Sequence, residues 1–320
     1  MADAKITITD QELSRSAVTY RRELLMLPYI TLATAFQHFT PRPGVAGREV
    51  MGELGGDIEL GPYDAQRKDD SGLDISPRTL ETFLGNAVKR FDPNSAAKTV
   101  YGSLIAQGED LKNVDIAQQV LYYLTVKLAQ SLRAQIWDAK RVDGGTKTAE
   151  LFNGFDSITA ADIAAGNVSE AKGNLIQLAD PITQLNACDT LMSIWEKADE
   201  NLRSIPTKMF VPFDLYNLYN RSYRDSFGAA AYNKEFKKTF LEGTDNLCEL
   251  VPVSGKKKQK LITLTTKGNA VYGYGNGLAD ENIAVEKHHE FLLSYIATMY
   301  FGVQYQTVSK EFFLVAKQSA

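Results

Sequence analysis

Apolar and polar positions change rhythm several times along the chain, and each rhythm predicts a different element. From Asp115 to Trp137, apolar residues recur every four positions at Ile116, Val120, Leu124, Leu128, Leu132 and Ile136, with Leu121 and Trp137 widening the stripe. A period of four sustained over about 25 residues predicts an amphipathic helix of roughly 35 to 40 Å, about twice the usual length, that serves as a spine for other elements. A second amphipathic helix is predicted from about Thr183 to Ser204, with Leu185, Cys188, Leu191, Met192, Trp195, Ala198 and Leu202 on its apolar side and Pro206 helping to end it.

Elsewhere the pattern shortens toward alternation. "KMFVP" reads as a short strand, followed by a helix or turn carrying Phe213, Tyr216, Leu218 and Tyr219. The final third favours strands in "NLCELVPV", "KLITLTTKGNAVYGYG", "FLLSYIATMYFGVQYQ" and "EFFLVAK", separated by Gly-rich turns. Past "RVDGG", the stretch "ELFNGFDSITAADIAAGNVSEAKGN" reads as short loops and extended pieces.

The first quarter is the least core-like. Residues 1 to about 45 hold a helical piece, "DQELSRSAVTYRRELL", which Asp10 can cap and which carries the mixed charges of Glu12, Arg15, Arg21, Arg22 and Glu23. The prolines that follow end it, so this is an arm with little core of its own. From Arg48 to Thr82, Gly-Gly, Gly-Pro and Ser-Gly punctuate short extended pieces, predicting a long hairpin whose tip, "DAQRKDDSG", is too polar to bury. An isolated ribbon is marginal, so it calls for packing on another domain or another subunit. Arm, hairpin, long helix, mixed region and terminal strands, without repeated βαβ units or internal repeats, predict an α+β fold.

Composition narrows the classes. The 320 residues are 44% hydrophobic and 23% charged, with 35 Lys+Arg against 39 Asp+Glu and a net charge of −4. This is a globular composition without the overall basicity of a dedicated nucleic-acid binder. Cys188 and Cys248 stand apart in sequence, which predicts two buried or half-buried thiols in a reducing compartment rather than a disulfide framework. "MADAKITITD" lacks a signal-peptide pattern, and the apolar run from Phe291 to Gly302 is too short to cross a bilayer as a helix.

Candidate chemistry is sparse. His288 and His289 with Glu286 and Glu290 invite a metal site, but adjacent side chains diverge on a strand and no HExxH spacing accompanies them; His38 stands alone. Solvated or interface histidines are the better reading. No P-loop, dinucleotide fingerprint, nucleophile elbow or zinc-deaminase signature is present. Gly273, Gly275 and Gly277 in "VYGYGNG" superficially resemble a phosphate cradle, yet a turn fits them better because no clear helical N-terminus follows. The run containing Lys256, Lys257, Lys258 and Lys260 is expected at a solvated hairpin tip, or facing DNA phosphates nonspecifically from inside a shell. No cofactor or metal is expected, and no enzyme activity.

The order of elements resembles the major capsid protein of tailed bacteriophages or prophages, with the Hong Kong 97-type fold. The resemblance spans nearly the whole chain and rests on "ISPRTLETFLGNAVKRFDPN", the spine-like helix after Asp115, "ACDTLMSIWEKADENLRSIPTKMFVP", and a threonine-rich strand followed by Asn269 and an aromatic-glycine segment in "LITLTTKGNAVYGYG". It implies an N-terminal arm over residues 1–45, an extended β-hairpin loop over 46–82 and a peripheral domain with the spine helix over 83–140. An axial domain over 141–278 and a return to the peripheral domain over 279–320 complete the division.

The implied function is self-assembly through hexamers and pentamers into an icosahedral head enclosing double-stranded DNA, built in the bacterial host cytoplasm and ending in the virion. A portal, a scaffold that is separate or removed from a precursor, a maturation protease and decoration proteins are implied partners; packaged DNA would be met nonspecifically, and no membrane is involved. Arg48, Glu49, Arg67, Lys68, Asp69 and Asp70 become candidate loop contacts between subunits, and Arg15, Arg21 and Arg22 candidate arm contacts. No motif here matches the archetype's crosslinking residues, so covalent chainmail is not carried over. An encapsulin-like shell around protein cargo and a soluble enzyme of an unrecognised α+β fold are the alternatives.

Overall fold

The computed structural model describes residues 36–55, 74–92, 116–227, 240–256, 261–289 and 292–318. The chain divides into two compact units, the first from residues 1–47, 82–154 and 272–302 and the second from 48–81, 155–271 and 303–320.

In the first unit, β1 (Thr40–Pro43), β9 (Ala270–Tyr274, whose first two residues belong to the second unit), β11 (Leu292–Tyr305, which ends in the second unit) and β10 (Asn282–His289) form a sheet, and β4 (Phe83–Phe91) also pairs with β11. The antiparallel register sets Val88 opposite Ile296 and Ile296 opposite Ala284, so the two faces separate cleanly. Phe301, Met299, Ala297, Tyr295 and Leu293 are buried on one face.

Helix α1 (Ile116–Gln135) is bonded to that face: the Thr125 hydroxyl bonds the Leu121 carbonyl at 2.8 Å and meets the Tyr295 hydroxyl at 2.9 Å. Its described part is 20 residues, roughly 30 Å at 1.5 Å per residue, and it ends at Gln135, just short of the Ile136 and Trp137 that the periodicity included. Its buried line also differs, running through Leu121, Thr125, Ala129, Leu132 and Ile136, while Leu124 and Leu128 are only half-buried. Ala129 permits close approach and Thr125 is satisfied by two hydroxyl bonds, so neither needed a large apolar side chain to hold the centre of the stripe.

Around the helix end, aromatic rings close the unit's core. Phe36 stacks on Tyr272 at 4.4 Å, and Phe152 meets Phe301 edge-on at 4.9 Å. Gly154 is required here, since a Cβ would lie 2.4 Å from the Trp137 carbonyl oxygen.

In the second unit, β5 (Leu175–Leu178), β12 (Phe313–Gln318), β8 (Leu261–Thr265), β6 (Thr207–Pro212) and β7 (Cys248–Val253) form a five-stranded sheet in that order. β5 and β12 run parallel, as do β6 and β7, while β8 is antiparallel to both neighbours. Met209, Val211, Ile262, Leu264, Leu314 and Ala316 share a core with residues of α3 (Ala187–Glu196), α4 (Glu200–Ser204) and α5 (Phe213–Phe227), including Trp195 and Tyr219. Alternation sends Phe210, Thr263, Phe313 and Val315 to the opposite face, where Tyr305 lies between Phe155 and Phe313 at 4.9 Å from each.

Two sequence expectations are corrected in this unit. The helix read over Thr183–Ser204 is two helices, because Lys197 ends α3 and Asp199 caps α4 by accepting the Asn201 N–H at 3.0 Å. Its supposed apolar member Leu185 lies before α3 and is 89% exposed. The stretch read as loops and extended pieces contains α2 (Phe155–Ala164), whose buried side chains include Asp156 and Asp162. Buried acids on a helix erase the apolar period that would have revealed it. The ribbon of β2 (Arg48–Gly55) and β3 (Asp74–Glu81) is antiparallel as expected, and it belongs to the second unit.

Candidate assembly surface

The ribbon begins at a clasp. Gly47 donates its N–H to the Thr82 hydroxyl at 3.0 Å, that hydroxyl bonds the Val45 carbonyl at 2.9 Å, and the Thr82 N–H returns to the Gly47 carbonyl at 2.7 Å. Cross-strand pairing then sets Arg48 opposite Glu81, Val50 opposite Thr79 and Met51 opposite Arg78. One face at the base is buried through Met51 and Leu80, while Val50 is 68% exposed on the other.

Arg78 anchors the buried face within the second unit. Its guanidinium forks onto Asp162 of α2 at 2.7 and 3.3 Å, donates to the Tyr305 carbonyl at 3.1 Å and reaches Gln304 at 3.1 Å. Gln304 donates in turn to the Thr79 carbonyl at 3.1 Å. A planar, forked donor suits such a junction, because one side chain fixes both position and orientation. β2 and β3 pair only with each other among the described strands, so each presents an outer edge of backbone donors and acceptors of the kind that recruits another chain.

Of the candidate contacts read from sequence, Arg48 bonds Glu81 at 2.8 Å across the exposed ribbon face, and Glu49 is half-buried opposite Leu80. Arg15, Arg21, Arg22, Arg67, Lys68, Asp69 and Asp70 lie outside the described residues. Arg78 carried no sequence signal, since its partners stand 84 and more than 220 positions away.

Lys256 requires a correction. Rather than sitting at a solvated tip, it is buried with its ammonium paired to Asp156 of α2, both side chains having no exposure, and it bonds the Thr263 hydroxyl at 3.2 Å. Lys257, Lys258 and Lys260 lie outside the described residues. Beside this pair, burial foremost and the Asp156 charge push the Tyr305 phenol well above its ordinary pKa.

The glycine run is a turn only past Tyr274, since Gly273 lies within β9. Asn276 and Gly277 adopt left-handed backbone at φ 58° and 84°. The donors a phosphate would need are already used: Glu281 accepts the Gly277 and Leu278 N–H groups at 2.6 and 3.2 Å on one oxygen and the Tyr300 N–H at 2.9 Å on the other. A Cβ on Gly275 would collide with that carboxylate at 2.4 Å. Asn269, singled out as part of the late-strand pattern, is a buried hub that bonds the Thr265 hydroxyl at 2.8 Å and the Thr307 backbone at 2.8 and 3.0 Å.

Among the described residues no group of three or more His, Cys, Asp or Glu could hold a metal ion, and no helix is long and apolar enough to cross a membrane. Cys188 and Cys248 are free and buried, and burial pushes the Cys248 thiol up to about 12. A thiol so held is not a nucleophile near neutral pH. The first unit contains a cleft of about 470 Å³ lined by Gly85, Ala87, Leu128, Leu132, Leu151 and Met299. Arg141 at its rim is engaged, stacking on the Phe83 ring at 4.1 Å and bonding the Leu151 carbonyl at 2.9 Å and Asp143 at 3.0 Å.

No protein-family model and no curated protein matches the chain. Solved structures do match in fold. A chain from the capsid of an empty GTA particle is similar at a TM-score of 0.58 and 12% identity, with 90% of each chain covered. A structure from Microbacterium phage Oxtober96 is similar at 0.51 and 12%, over 89% of this chain and 90% of the other. A chain from the satellite phage P4 procapsid, a structure that includes the size determination (Sid) protein, is similar at 0.51 and 11%, over 99% and 94%. The mixed α+β fold of this chain is thus the one seen in phage and GTA capsid structures, across nearly its full length.

Proposed function

We propose that the chain is a major capsid protein of a tailed bacteriophage or prophage, a structural subunit without enzyme activity that assembles through hexamers and pentamers into an icosahedral shell around double-stranded DNA. The observation that carries this reading is the fold shared with the capsid of an empty GTA particle over nine-tenths of both chains. The anchored ribbon adds a physical reason: it offers two strand edges and an exposed Val50 from a base held by Arg78. Such an element gains stability when a neighbouring subunit covers it.

In this reading the energy of the shell comes from many modest contacts repeated by symmetry, with no single pocket carrying function. Scaffold, portal and decoration proteins are its proposed partners, the host cytoplasm the place of assembly and the virion its destination. Electron microscopy of the purified protein with its native partners tests this directly. Icosahedral particles, or hexamers and pentamers tiled by the subunit, are expected. Compact monomers that persist with partners present would overturn the reading, and shells filled with protein cargo would replace it with an encapsulin-like one.

A further inference from the structure

The outward face of α1 has a chemistry that its buried stripe does not explain. From Leu121 to Gln135 the exposed side chains are those of Tyr122, Tyr123, Lys127, Gln130, Arg133 and Ala134. At 100° per residue they share one side of the helix, opposite buried Leu121, Thr125, Ala129 and Leu132. In a chain with more acidic than basic residues, this 20-residue helix contains no Asp or Glu at all.

Each polar end on the face is able to donate a hydrogen bond. The Lys127 ammonium lies 5.5 Å from the centre of the Tyr123 ring and donates to the Gln130 carbonyl oxygen at 3.3 Å, which turns the Gln130 NH2 into a further donor on the face. Arg133 adds a guanidinium in the last turn, roughly 9 Å along the axis from Lys127. On one flank Ser131 bonds the Thr148 hydroxyl at 2.8 Å, which brings exposed Lys147 alongside. Of the acids that follow the helix, Asp138 is buried, Asp143 pairs with Arg141, and Glu150 accepts the Thr146 and Lys147 N–H groups at 2.9 and 3.1 Å; Asp115, which precedes it, lies outside the described residues.

An acid-free strip of cations and neutral donors fits a polyphosphate better than an apolar or acid-bearing protein surface. We propose that this face binds the backbone of double-stranded DNA, through Lys127 and Arg133 with Tyr122, Tyr123 and Gln130 as neutral donors, without reading bases. This deepens the shell reading, in which packaged DNA is the source of that backbone.

The test is fluorescence anisotropy of the full-length protein with a short DNA duplex across salt, comparing wild type with Lys127→Glu/Arg133→Glu and with the milder Lys127→Gln/Arg133→Gln. Removing two phosphate contacts lowers the log–log salt slope by about 1.8, and affinity near 50 mM salt falls roughly tenfold or more. Unfolding midpoints and particle shape are expected to stay unchanged.

Three results would overturn the proposal: no duplex binding by wild type at low salt, an unaltered slope in both variants, or failed particle assembly with DNA binding intact. The last would assign the face to a protein contact. Slope loss in a protein that forms no particles keeps the DNA face and removes the shell reading, whereas normal particles with an unaltered slope do the reverse.

Discussion

The two sheets of this molecule bury their side chains in opposite ways. Strand β4 of the first unit alternates half-buried and exposed over most of its length, and Leu84 and Val88 are 44% and 57% exposed on the face opposite the one that meets α1. Every residue of β8 in the second unit is buried, because helices cover one face while Phe155 and Tyr305 lie on the other. A sheet with an open face tolerates polar substitution there. A sheet covered on both sides buries polar groups that need partners, and in the second unit Lys256 bonds Asp156 and Thr263 while Asn269 bonds Thr265.

The sharpest way to break this contrast is to unpair Lys256. Lys256→Met strands Asp156 in a fully buried site, and we expect a loss of about 3 to 5 kcal/mol in urea unfolding. Lys256→Met combined with Asp156→Leu recovers most of that loss, since no lone charge remains. A double variant as unstable as the single one would show that packing, not charge, sets the cost.

Next in size is Arg78→Ala, which removes the anchor of the ribbon base and leaves Asp162 half-satisfied by Asn167 alone at 3.1 Å. The expected cost is about 2 to 3 kcal/mol, with assembly into particles impaired beyond what the stability loss explains. Proteolysis should also reach the 48–81 segment sooner in the variant. Unchanged cleavage there would show that the ribbon is held by Met51 and Leu80 instead.

The first unit has its own test in Tyr295, whose phenol is pushed up to about 12 by burial, opposed by its bond to Thr125. The folded state holds that proton more tightly than the unfolded chain. The resulting stability is complete below pH 10 and is lost as pH climbs toward 12, by about 2 to 3 kcal/mol at most. Tyr295→Phe should flatten the urea midpoint over that window, and an unaltered alkaline decline would move the cause to other groups.

Smallest of all is Val88→Thr on the open face, expected within about 0.5 kcal/mol of wild type in the unassembled protein. A larger cost there would mean that the face is covered in the folded subunit.

Much of the fold was legible because apolar period survives wherever an element is covered on one side. The long helix α1, the ribbon strands, "KMFVP" and the terminal strands were readable for that reason. Where polar residues are buried, the same period misleads: Thr125 and Ala129 displace the expected line on α1, and Asp156 and Asp162 hide α2. The thiols were read correctly as buried. Lys256 was not, since a run of lysines looks solvated until Asp156 is brought to it from 100 positions away.

The sequence alone determined the order and kind of most elements and an α+β architecture, because local periodicity and turn chemistry are properties of neighbouring residues. Only the tertiary structure decided which charges are buried, which oxygens fill the glycine turn and what holds the ribbon. Those depend on pairs such as Arg78 with Asp162 and Lys256 with Asp156, whose members meet only once the chain has folded.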